Sequence, residues 1–129
     1  MTLPGPAVDN SPFHRLIGLE LVRAGEGEVE LRVGWREEFR RADGSDWYHG
    51  GIISALIDIA GDYAVASSLG RWVPTIDLRV DYLRPAREGA LTALARTVKV
   101  GRTVAVADVE LRDGKGALVA VGRAAYATA

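Results

Sequence analysis

The sequence predicts an α+β fold in which one antiparallel sheet of five or six strands packs against a single long central helix. Two observations carry this expectation. Only residues 50 to 68 hold a long helical pattern, whereas 76 to 82, 90 to 100, 102 to 112 and 117 to 127 read as strands. The last three are separated by Gly101-Arg102 and by the stretch DGKG, both hairpin signals. A lone helix among such strands buries its apolar surface only by lying on the sheet they form.

Residues 1 to 9, with Pro4 and Pro6, read as a loose lead-in to one domain over residues 10 to 129. Asn10 or Ser11 caps a short helix over PFHRLIG, with Pro12 in its first turn and Gly18 at its end. Leu19, Leu21, Val29, Leu31 and Val33 then alternate with polar residues across the turn AGEGE, the pattern of a hairpin with one buried face. From Trp35 to Tyr48 the alternation stops. REEFRRADGSDWY is polar and holds Asp43-Gly44, and a loop of this length beside a core is more often functional than decorative. After the long helix, Ile76, Leu78, Val80 and Tyr82 alternate with Asp77, Arg79 and Asp81 before a stop at RPAREG. Ten-residue strands span ~33 Å and an eighteen-residue helix ~27 Å, so the sheet is long enough to curl around the helix. Such a sheet leaves open edges, and pairing two copies edge to edge predicts a homodimer.

Composition narrows the chemistry. The 129 residues contain no cysteine, which removes disulfides, thiolate zinc sites and a cysteine nucleophile. The two histidines, His14 and His49, stand far apart, so no dedicated metal site is expected. A formal net charge of −1 argues against a nucleic-acid binder, because Arg32, Arg36, Arg40 and Arg41 are interleaved with Glu37 and Glu38. The first residues lack a basic stretch followed by an apolar one, and Asp58 interrupts the longest apolar run. No membrane span is expected, and a cytoplasmic location is.

The stretch YHGGIISALIDIAGDYA concentrates the unusual residues. Ile52, Ile53, Leu56, Ile57, Ile59, Ala60, Ala64 and Val65 cover most of the helix surface, leaving Ser54, Asp58 and Asp62 four apart as a narrow polar strip. Asp62 reads as solvent-facing, where the helix emerges. Asp58 sits mid-helix between two isoleucines, where a carboxylate carries a desolvation cost unless it is hydrogen-bonded. At the other end, His49-Gly50-Gly51 precedes the first turn, and residues without Cβ let a ligand reach N–H groups at the positive end of the helix dipole. Seven residues from Gly51 to Asp58 is ~10 Å along a helix, too far for both to meet one reacting carbon within a chain. If both act on one substrate, they come from two subunits.

HGGIISALID, the downstream IDLRVDYLRPA and the final GRTVAVADVELRDGKGALVAVGRAAYA resemble the hotdog-fold acyl-CoA thioesterases, in the branch of the phenylacetate-degradation thioesterases. The resemblance covers residues 13 to 127. It implies a dimer with active sites at the subunit interface, and often a dimer of dimers, a homotetramer. It further implies that Asp58 attacks the thioester or activates water, that the Gly51 N–H polarises the carbonyl, that His49 lines that end of the site, and that Thr75 helps hold the water. Coenzyme A enters as part of the substrate and no other cofactor is implied; Arg84, Arg87 and Arg102 are the expected contacts to its phosphates. One position departs from the family pattern. Relatives of that branch commonly have Asn-Gly or a similar pair six residues before the histidine, and here that position is Asp43, whose carboxylate cannot donate to a developing oxyanion.

The leading expectation is an acyl-CoA thioesterase, releasing a free acid and CoA. Trp47 and Tyr48 admit an aromatic acyl group, and medium aliphatic chains fit the same residues. Two alternatives stand beside it: a binding protein that holds acyl-CoA with little or no turnover, which Asp43 favours, and a hydroxyacyl-thioester dehydratase, whose proline-rich histidine loop is missing.

Overall fold

In the computed structural model, which describes residues 11–129, a short helix α1 (Pro12–Ile17) leads into the hairpin of β1 (Glu20–Gly25) and β2 (Glu28–Val33). The lead-in expected over residues 1 to 9, and Asn10, lie outside the described residues. One 3-10 turn (Glu37–Phe39) precedes the long helix α2 (Gly50–Leu69); β3 (Thr75–Tyr82), β4 (Leu91–Val100), β5 (Val104–Arg112) and β6 (Leu118–Ala127) follow. All six strands form one antiparallel sheet in the order β1-β2-β4-β5-β6-β3. This is the expected α+β architecture with a single long helix.

Both helices begin and end where their sequences dictate. Ser11 accepts the His14 N–H at 3.3 Å with Pro12 at the first position, and Gly18 ends α1 in the left-handed region at φ 68°. Gly70 ends α2 in the same way, its N–H bonded to the Ala66 carbonyl at 2.8 Å. Helix α2 has the length and mean hydropathy, 1.4, of a membrane span, Asp58 notwithstanding; here the sheet covers it and makes it the core.

The core is built from α2 and the inner faces of the four middle strands. Val29, Leu31 and Val33 of β2, Leu91 of β4 and Leu111 of β5 are all fully buried. Ala93, Ala95, Ala105, Ala107 and Ala124 place small side chains beneath the helix, so α2 lies close to the strands. Gly122 completes that fit, since a Cβ there would run into Ile57 and the Arg79 carbonyl.

The two outer strands depart from the expected patterns. Along β1 the buried face is missing: Leu19 is buried just before it, but Leu21 and Val22 are exposed, and the register slips between Leu21 and Arg23. Along β3 only Leu78 and Val80 pack on the core, while Ile76 and Tyr82 stay 57% and 54% exposed. Among the described residues both are edge strands with one neighbour each, so their apolar residues reach past the surface the helix can cover.

Candidate active site

Asp58 is the centre of a small polar cluster on the one incompletely covered face of α2. Thr75, the first residue of β3, donates its hydroxyl to Asp58 Oδ1 at 2.8 Å. Tyr126 of β6 brings its hydroxyl to the Asp58 backbone carbonyl at 2.8 Å and to Oδ1 at 3.4 Å. The hydroxyl reaches the helix because residue 61 is glycine; a Cβ there would collide with it. Burial, reinforced by the charges of Asp58 and Asp62, holds the Tyr126 phenol well above its ordinary range, so it remains a hydrogen-bond donor. The sequence singles out Asp58 and Thr75. It does not single out Tyr126, whose partner is 68 residues away.

Asp62 differs from its expected solvent-facing role. Its Oδ1 is shut from solvent with no partner among the described residues. Burial pushes its carboxyl up to about 7; a hydrogen bond from the Val73 N–H opposes the shift and the charge of Asp58 adds to it. The segment after α2, which brings Val73 back over the last turns, closes a face that the helical pattern alone leaves open.

At the amino end of α2, His49 is the cap. Its Nδ1 accepts the Gly51 N–H at 2.8 Å, and its own N–H donates to the Phe39 carbonyl at 2.6 Å. The Gly51 amide therefore has an intrachain partner, the exposed imidazole of His49. Asp43 lies on an exposed turn closed by the Ser45 N–H to the Ala42 carbonyl, and its carboxylate has no partner among the described residues. Of the two neighbouring aromatics, Tyr48 is buried, stacked on Phe39 and edge-on to Trp35, with burial pushing its hydroxyl up to about 12. Trp47 faces outward beneath the guanidinium groups of Arg41 and Arg87.

Edge strand β3 runs between these two regions. Thr75 at its start touches Asp58, and Tyr82 at its end donates to the Gly50 carbonyl at 3.1 Å. On α2 the Gly51 amide and the Asp58 carboxylate stand seven residues, ~10 Å, apart along the axis, so a single chain does not bring both to one point. The three arginines expected on phosphates divide the same way. Arg84 and Arg87 follow Tyr82, with Arg87 paired to Asp46 at 2.9 Å. Arg102 is on the β4–β5 turn, at the end of the sheet where Thr75 and Tyr126 pair.

Comparison with known proteins adds a lineage to this geometry. The family model of the thioesterase superfamily matches residues 48–120. A putative esterase of Halobacterium salinarum is 40% identical over 92% of this chain and 85% of its own length. The medium/long-chain acyl-CoA thioesterase YigI of Escherichia coli is 34% identical over 92% of this chain and 86% of its own. The solved structure of the E. coli PaaI protein, from the phenylacetic acid degradation operon, superposes with a TM-score of 0.78 at 26% identity, over 88% of this chain and 85% of that one.

Proposed function

The chain belongs to the thioesterase superfamily and is a thioester hydrolase; from that premise we propose that it cleaves acyl-CoA esters at sites completed by two copies of the chain, in the cytoplasm. The observation that carries the reading is Asp58, a carboxylate midway along a largely apolar core helix, hydrogen-bonded by Thr75 at the start of an edge strand whose outer side is unpaired among the described residues. Pairing two β3 strands antiparallel about a two-fold axis sets the Thr75 end of one against the Tyr82 end of the other. Asp58 of one copy then meets Gly50-Gly51 of the second.

In such a site the Gly51 N–H takes the thioester oxygen as charge gathers on it, in place of His49 Nδ1. Asp58 either attacks the carbonyl carbon, giving an acyl-carboxylate that water then opens, or removes a proton from the attacking water. Both routes break the carbon–sulfur bond, add the water oxygen to the acyl group and leave a proton for the departing thiolate. Thr75 and Tyr126 fix the carboxylate in either case. The YigI relative supports medium or long aliphatic acyl groups, and the PaaI likeness supports aromatic ones.

Thiol release across aromatic, short and long acyl-CoAs, by the native chain and by Asp58→Asn, tests the reading. A loss of about a thousandfold is expected on every ester that the native chain cleaves. Equal rates overturn it. Tight ester binding without thiol release by the native chain makes it the binding protein that Asp43 favours.

A further inference from the structure

Hydrolysis as described uses one carboxylate, yet α2 turns two toward the same polar cluster. Asp62 stands one turn after Asp58, so the two side chains share a face of the helix with Cβ atoms ~5–6 Å apart. Their partners differ. Asp58 Oδ1 has the Thr75 hydroxyl at 2.8 Å and the Tyr126 hydroxyl at 3.4 Å, whereas Asp62 Oδ1 is shut from solvent and has no donor among the described residues. The groups that face Asp62 are Asp58 on its own helix, Tyr126 on β6 and the Val73 N–H on the segment after α2. Among the described residues no lysine or arginine forms an ion pair with either carboxylate. Two like charges this close, one of them with an unsolvated oxygen, favour a proton on one carboxyl. The oxygen without a donor marks Asp62 as its holder.

We propose that Asp58 and Asp62 form a coupled pair in which Asp62 holds the proton, and that loss of this proton strengthens Asp58 as nucleophile or base. The proposal rests on the hydrolase reading above. In either route, attack draws negative charge off Asp58, toward the thioester oxygen or through a proton taken from water. A neutral Asp62 leaves that step unaided. An ionised one, a turn away, repels the charge on Asp58 and favours its departure. Asp62 thus acts through Asp58 and is a positioning residue. Its proton has a way out, because the residue as a whole is only partly buried. Burial, with the charge of Asp58, raises the Asp62 carboxyl to about 7, so the pair changes state close to neutrality.

Two measurements test it. Carbon NMR follows the Asp62 carboxyl of the native chain and of Asp58→Asn between about pH 4 and about pH 9. The native midpoint is expected at about 7, and Asp58→Asn is expected to lower it by about one pH unit. A midpoint in the ordinary carboxylate range, or one that Asp58→Asn leaves in place, overturns the proposal. The second measurement is the pH dependence of kcat for thiol release. The native rate is expected to rise about threefold across the Asp62 midpoint, and Asp62→Asn to lack that step. Imidazoles titrate in the same region, so the step that counts is the one missing from the variant. A step of the same size in both chains, no step in either, or a native rate that falls there overturns it. The NMR titration needs no change at residue 62, and so decides the coupling even if Asp62→Asn fails to fold. If the native chain cleaves no acyl-CoA, the hydrolase reading fails on its own; a midpoint moved by Asp58→Asn then supports the pair, and an unmoved one overturns it.

Discussion

The Tyr126 hydroxyl stands in the space that any side chain on Gly61 would fill, and from there it bonds the backbone carbonyl of Asp58. Gly61→Ala should therefore push the phenol away and cost about 2 kcal/mol of stability through overpacking. Removing the hydroxyl relieves part of the clash. Chemical denaturation of Gly61→Ala, Tyr126→Phe and the double variant should give a double-variant loss smaller than the sum of the two single losses.

Thr75 holds Asp58 with one hydroxyl, so Thr75→Val keeps the shape of the side chain and deletes the bond. A hydrogen bond to a charged group is worth about 1.5–3 kcal/mol, which corresponds to at least about a tenfold fall in kcat. Steady-state thiol release checks this, with Thr75→Ser expected to recover most of the rate.

Asp62 makes stability depend on pH. Its folded carboxyl, raised to about 7 by burial, holds its proton longer than the unfolded chain does. Its contribution is complete below the ordinary carboxylate range and is lost as pH rises through about 7. Asp62→Asn stays neutral throughout. Thermal unfolding should show the variant gaining on the native chain between pH 5 and pH 8, by about 4 °C at the upper end. The groups that face Asp62 are Asp58, Tyr126 and the Val73 N–H, so the comparison is best repeated in Tyr126→Phe.

If two β3 edges pair, Ile76 lies in the seam. Ile76→Lys should shift the molar mass seen by light scattering from dimer to monomer. Activity at low protein concentration should then fall by about a hundredfold or more, because Asp58 loses the amide end that completes its site.

Asp43→Asn restores an amide donor at the position where the family pattern has one. With one further oxyanion contact, kcat should rise about a hundredfold if the loop closes over the substrate, measured on whichever acyl-CoA the native chain cleaves best.

Features governed by near neighbours were legible in the sequence. Ser11 and Gly18 act within one turn, and the hairpin signals at residues 101–102 and 113–116 join β4, β5 and β6 in order. Features governed by distant residues were not. Leu21 and Ile76 alternate as buried residues do, yet lie at sheet edges that only the strand order defines. Asp62 looks like a surface residue until the chain after α2 folds back to Val73. Tyr126 ends an apolar strand like any core aromatic, and only its approach to Gly61 shows what its hydroxyl does. Asp58 and Thr75 were found together through the family resemblance; helical periodicity marked Asp58 alone.

Strand order also fixes a sequence of events during synthesis. Among the described residues β3 pairs only with β6, which is made after β4 and β5. A ribosome that has released the helix and the first five strands has produced Asp58 and Thr75 without the template that joins them, and long-range pairings of this kind form late. The pairing of β3 and the polar cluster around Asp58 thus mature together. A nascent or truncated chain lacking β6 would carry the HGG stretch and Asp58 without the Tyr126 contact, with an unsheltered strand available to whatever other chain it meets first.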